Sequence, residues 1–175
     1  MNLVNIESEK NNIELKSKPV ELLIIKVISE FTKDLDNLVQ TIDTQLRQDK
    51  LDVLTDQELE NYCLKLSSFM YFTAAGQELI GLKEAIASAL NKEDYNNKYS
   101  SSTGTIADKK ANAELLSQDS MLVELIYDHA EKMVQSKLNY ATHLLGAIKR
   151  VLNRRIEQMK MNPASIRYIE EAKDE

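Results

Sequence analysis

Glycine, proline, cysteine and tryptophan are all scarce in this chain: four, two, one and none among 175 residues. So few glycines and prolines exclude a sheet protein that must turn every ten residues or so. One cysteine, Cys63, excludes a disulfide framework and fits a reducing cytosol. Apolar runs are short too, as at Leu22–Ile25, far below the roughly 20 residues a membrane-spanning helix needs. The first residues, MNLVNIESEK, lack the basic-then-apolar order of a secretory leader. The expectation is a soluble protein of the cytoplasm, or of the host cytoplasm if phage-encoded. The length is that of a single domain with a real core.

What the sequence does have is a composition rich in Leu, Ala, Glu, Lys and Gln, the usage of helical proteins. Residues 1–18 are polar with isolated apolar side chains, which predicts a mobile arm or a segment that orders only against a partner. Pro19 suits a first helical turn, where its missing N–H has no partner to lose. From there apolar residues recur at steps of three and four through Ile28, Leu35, Ile42 and Leu46, predicting a helix over about 19–48. Thr55-Asp56-Gln57-Glu58 has the spacing of a capping box and opens a second helix, about 56–90. Gly76 and Gly81 interrupt its apolar stripe, which predicts a bend or a close helix contact.

Residues 91–104, NKEDYNNKYSSSTG, lose the apolar period and read as a long loop. Thr105 and Asp108 can cap a third helix, whose stripe continues without a proline from Ile106 to Met161. At 1.5 Å per residue that is a rod of roughly 80 Å, too long for a small core unless it folds back as a hairpin and finds a partner. A short segment at 163–175 completes the chain. The predicted fold is all-α: a long antiparallel, coiled-coil-like hairpin with an additional N-terminal helix, self-associating through Leu138, Leu145, Ile148, Leu152 and Met159.

Residue patterns for catalysis are missing. His129 and His143 lie 14 residues apart on one helix, about 21 Å along its axis, and cannot share a metal. There is no HExxH, no CxxC and no glycine-rich phosphate loop. The acid pairs Asp34/Asp36 and Asp56/Glu58 point to different helix faces and read as solvated charges or caps. The expectation is a protein that is not an enzyme and needs no metal or cofactor.

Charge is distributed unevenly. The chain carries −6 overall, and all of it falls in residues 1–104, which hold 11 basic and 17 acidic side chains. Within 137–167, Lys137, Lys149, Arg150, Arg154, Arg155, Lys160 and Arg167 are opposed only by Glu157. At 100° per residue, His143, Arg150 and Arg154 share an outer strip opposite Leu145, Ile148, Leu152 and Met159. Lys149 and Lys160 flank the apolar stripe, and Arg155 falls within its margin, where an ion pair to a neighbouring helix is expected. A basic strip beside an aromatic residue, Tyr140, is what tracking a single-stranded phosphate backbone requires. The same arginines can equally complement the helix C-terminus and pair with the acidic first helices.

One further feature lies in Thr103–Lys160, TGTIADKKANAELLSQDSMLVELIYDHAEKMVQSKLNYATHLLGAIKRVLNRRIEQMK, and above all in Leu145-Gly146-Ala147-Ile148-Lys149-Arg150 with the basic run behind it. This layout resembles the UvsY-like recombination mediators of phages over roughly residues 60–160; residues 1–54 are not covered. The resemblance implies a helical oligomer that binds single-stranded DNA and helps a recombinase displace a single-strand-binding protein. Carried over by position, it makes Lys149, Arg150, Arg154 and Arg155 the first candidates for phosphate contacts. The acidic net charge departs from that pattern. The competing reading is a small protein–protein adaptor or inhibitor that engages a host protein through an acidic N-terminal face.

Overall fold

The structure, a computed structural model, describes residues 3–47 and 54–161, with side chains at 10–45 and 54–160. The fold is all-α. Four helices follow in order: α1 (Leu3–Arg47), α2 (Asp56–Ser101), α3 (Ile106–Leu116) and α4 (Gln118–Met161). No strand occurs among the described residues. The chain forms two compact units, each built from a stretch of α1, α2 and α4. The first comprises residues 1–33 and 72–136 and so contains all of α3; the second comprises 34–71 and 137–175. The segment expected at 163–175, and with it Arg167, lies outside the described residues.

Three boundaries differ from those the sequence predicts. Residues 3–18 are not an irregular arm: they belong to α1, and Pro19 sits inside the helix rather than at its start. Polar side chains support this stretch locally, with Lys10 3.7 Å from Glu14 and the Ser17 hydroxyl donating to Glu21 at 2.7 Å. The expected loop at 91–104 is also helical as far as Ser101, leaving only 102–105 as a connection. Asn and Ser have poor intrinsic helix propensity, but here partners override it. Asn91 Nδ2 donates to Glu124 at 2.6 Å, Ser120 donates to Asp94 at 2.9 Å, and Tyr95 stacks on Tyr99 with ring centroids 6.3 Å apart. Gly104, at φ +111°, supplies the left-handed turn that reverses the chain.

The third difference divides the expected 106–161 helix at Ser117. Its backbone (φ −99°, ψ 10°) leaves the helical region, although its N–H still donates to the Ala113 carbonyl. Ser117 is buried, and its hydroxyl lies 3.5 Å from the Glu114 carbonyl. Apolar periodicity runs straight through such a break and does not register it.

Both predicted capping boxes are present. Thr55 N donates to Glu58 Oε2 at 2.7 Å while Glu58 N donates back to Thr55 Oγ1 at 3.2 Å; Thr105 and Asp108 do the same at 3.0 and 3.3 Å. The backbone N–H of Thr55 holds the Glu58 carboxyl below its ordinary pKa, and the Thr105 hydroxyl does so for Asp108. A depressed folded-state pKa contributes stability at neutral pH that disappears as pH falls through the folded value. Amide exchange at the first turns of α2 and α3 is therefore expected to speed up, relative to the helix centres, as pH drops below about 4. In Glu58→Gln that acid response should vanish at α2 and persist at α3.

Each unit closes its own core. In the first, Ile24, Ile28 and Thr32 of α1 are buried with Thr73 and Ile80 of α2, Ala113 of α3, and Ile126, Ala130 and Val134 of α4. Thr73 Oγ1 donates to the Phe31 carbonyl at 3.1 Å, so its buried hydroxyl is satisfied. Gly76 lies directly against Phe31: a Cβ there would stand 2.5 Å from the ring. The predicted close helix contact is thus at Gly76, whereas at Gly81 a Cβ would meet only the Glu131 carboxylate at 3.4 Å. In the second unit, Leu35, Leu38 and Ile42 are buried with Leu54, Leu59, Leu66, Leu138, Ala141, Leu144 and Ile148. Lys137 pairs with Asp36 at 2.5 Å, and the Tyr62 hydroxyl donates to Gln45.

Candidate nucleic-acid interface

Apart from Arg167, which lies outside the described residues, the basic residues singled out in the sequence lie in the second unit, on the α4 stretch from Lys137 onward. Helical geometry sorts them. Buried Leu138, Ala141, Leu144 and Ile148 define the inner face, so residues half a turn away must face solvent. His143, Arg150 and Arg154 are exposed, fall within about 40° of one another around the axis, and are joined on that side by Tyr140 and Glu157. Gly146 lies on the same strip, and open space surrounds its Cα: a Cβ there would meet nothing within 4 Å.

Among the described residues neither Arg150 nor Arg154 forms an ion pair, and the same holds for Lys149 and Lys160 at the margins. Lys149 stands close enough to Cys63 of α2 to oppose, by its charge, the rise in thiol pKa that partial burial causes. The main effect on Cys63 is that burial, which leaves a protonated and unreactive thiol.

Arg155 differs from its neighbours. Its Nη1 donates at 2.7 Å both to the Leu54 carbonyl and to Asp56 Oδ1, and its side chain is only 21% exposed. It therefore ties α4 to the start of α2, as its place at the margin of the apolar stripe predicts, and is withdrawn from the set able to meet a phosphate. Arg155→Ala is expected to lower stability by about 1–3 kcal/mol, because it leaves a carbonyl and a carboxylate without their donor. Oligonucleotide affinity should stay within twofold in that variant. Denaturant midpoints and anisotropy titrations on one preparation check both halves of the expectation.

The residues expected to form an oligomer interface are not together on the surface. Leu138 and Ile148 are 8% and 2% exposed and belong to the interior of their own unit. Leu145 and Leu152 are half-buried beside them, and only Met159 is open to solvent. The stripe fails as an interface because α1 and α2 already cover it. Helical periodicity identifies the face a helix buries, not whether the covering residues come from the same chain.

What the unit offers chemically is a strip of fixed positive charge with one aromatic ring and one imidazole. Among the described residues no group of three or more histidine, cysteine or acidic side chains stands close enough to hold a metal ion. No described helix is long and apolar enough to cross a membrane. No family model matches the chain, and neither a curated protein nor a solved structure does.

Proposed function

We propose that the protein is a non-enzymatic recombination accessory factor of the phage type, which binds single-stranded DNA and assists the loading of a recombinase in place of a single-strand-binding protein. The observation that supports this reading is the exposed strip His143–Arg150–Arg154 with Tyr140 beside it, whose two arginines have no carboxylate partner among the described residues. Arginines held on one helix face meet successive phosphates, and a half-exposed tyrosine offers a plane on which a base stacks. The long helices pair antiparallel within the chain, and assembly of several chains would gather such strips and multiply a weak single contact.

The acidic net charge is compatible with a local site. Lys137 and Arg155 are already neutralised by Asp36 and Asp56, so on this stretch of α4 the unpaired positive charge lies on the outer strip, at Arg150 and Arg154, and at its margins, at Lys149 and Lys160. The test is anisotropy of a labelled single-stranded oligonucleotide titrated with the full chain at low salt. Binding is expected, and it should weaken steeply as salt rises, since released counterions drive phosphate contacts. Absence of binding at low salt would overturn the proposal.

A further inference from the structure

The first unit leaves an apolar seam uncovered. On α2, Ala75, Leu79, Leu82, Ile86 and Ala89 follow one another at steps of four, three, four and three, the a/d spacing of a coiled coil. Opposite this seam the same helix buries Thr73, Ile80 and Ala87 in its own unit. Helix α2 is thus apolar on two faces, which a helix serving only one core does not require. Within the chain the second face meets water: Leu79, Leu82, Ile86 and the adjacent Leu90 are 51–59% exposed, and both alanines are exposed as well. An apolar groove of about 320 Å³ runs beside it, lined by Ile86, Ala87 and Leu90 of α2 and Val123 and Tyr127 of α4.

The register by which α1 packs on the buried face of α2 turns polar upstream. Its buried residues follow a four–three spacing back from Ile28 to Ile24, and the same register upstream falls on Glu21, Ser17, Glu14 and Lys10. These polar residues bond to one another, Lys10 with Glu14 and Ser17 with Glu21.

We infer that the occupant of the α2 seam is the α2 helix of a second copy of this chain, lying parallel to the first. The charges beside the seam select this occupant. With Leu79 and Ile86 at a and Ala75, Leu82 and Ala89 at d, Glu78 occupies g and Lys83 the following e. In a parallel pair, g of one helix faces the next e of the other, so Glu78 meets the partner's Lys83 and the pairing repeats across the two-fold axis. An antiparallel pair would set g against g, and Glu78 and Lys83 would not meet. Of the remaining flanking positions, Gly76 at e is buried against Phe31, while Ala85 at g and Leu90 at e are apolar and widen the seam. Both side chains are accessible: Glu78 and Lys83 are exposed, and Lys83 stands over the Tyr127 ring at 6.0 Å from its centroid. The alanines at d let the two backbones approach closely, as a short seam requires.

This inference is independent of the DNA-binding reading, because assembly is measured without oligonucleotide. Light scattering coupled to size exclusion on the full chain should give twice the 20.0 kDa of one chain. Glu78→Lys alone and Lys83→Glu alone should each weaken the dimer at least tenfold and shift the mass toward one chain; the two combined should restore it. Since both substitutions are on the surface, loss of fold does not confuse the result. In a Cys63→Ala background, Ala75→Cys and Ala89→Cys should each cross-link to itself under mild oxidation, which only a parallel alignment allows at two positions 14 residues apart. A single-chain mass for the unaltered protein would overturn the inference, as would an assembly that survives both single reversals. So would a charge swap that fails to rescue, or cross-linking at only one of the two positions.

Discussion

Reversing Arg150 and Arg154 to glutamate is expected to reduce single-stranded DNA affinity by about 10–100-fold at low salt and to flatten its salt dependence. Each phosphate contact on a single strand contributes about 0.7 to the slope of log K against log salt, so losing both removes about 1.4. The slope is the sharper readout. A variant that had merely unfolded would lose binding at every salt concentration, whereas loss of two phosphate contacts leaves a weaker complex with a shallower slope. Thermal denaturation should be nearly unchanged, because both side chains are exposed and neither pairs with a carboxylate among the described residues. Set beside Arg155→Ala, the pair separates two kinds of basic residue that lie within six positions of each other. One kind is free to meet a ligand and the other ties the helices together. Affinity that survives the double reversal would place the binding surface elsewhere.

Gly76→Ala is expected to destabilise the protein by about 1–3 kcal/mol, the usual cost of overpacking a well-filled site. Intrinsic helix propensity alone would argue the opposite, since alanine gains about 1 kcal/mol over glycine inside a helix. The structure decides the sign. The added methyl group would lie 2.5 Å from Cγ and Cδ1 of Phe31 and 2.6 Å from its Cβ. A ring can swing aside, but Cβ moves only with the backbone of α1, so relief requires the two helices to separate. The Thr73 hydroxyl bond to the Phe31 carbonyl sits at the same crossing and would stretch with it. Urea denaturation measures the loss, and Phe31→Ala in the same chain should make Gly76→Ala far less costly, since the two residues share one contact. A Gly76→Ala variant as stable as the parent would show that the crossing yields without strain.

Much of the helical architecture is legible in the residues themselves. The four–three apolar spacing of α1 and α4 and the two T-x-x-[E/D] boxes are local patterns, and local hydrogen bonds and amphipathicity are what they encode. Both boxes form as their spacing requires, and the outward strip of Arg150 and Arg154 follows from the 100° step of a helix once the opposite face is apolar. The exposed seam of α2 was also written in the chain, but a stripe-by-stripe reading merges it with the buried one. Leu79, Leu82 and Ile86 look like core until the burial of Ile80 and Ala87 shows which face the unit uses.

Tertiary contacts decided the rest. Residues 91–101 have a composition that favours turns, and they are helical because Asn91 and Asp94 find partners on α4 that their intrinsic preferences do not anticipate. The helix breaks at Ser117 although periodicity carries through it, since an apolar count does not register one residue's departure from helical dihedrals. Leu138 and Ile148 were plausible at a subunit interface on pattern alone, and only the packing of α1 and α2 around them makes them interior. Arg155 and Arg154 are adjacent in sequence and chemically identical, yet one meets Asp56 and a carbonyl while the other meets solvent. Sequence determined which faces are apolar, which are charged and where helices begin. The tertiary structure alone decided which apolar faces are covered and which charges are left over, because burial depends on residues distant in the chain that no local pattern records.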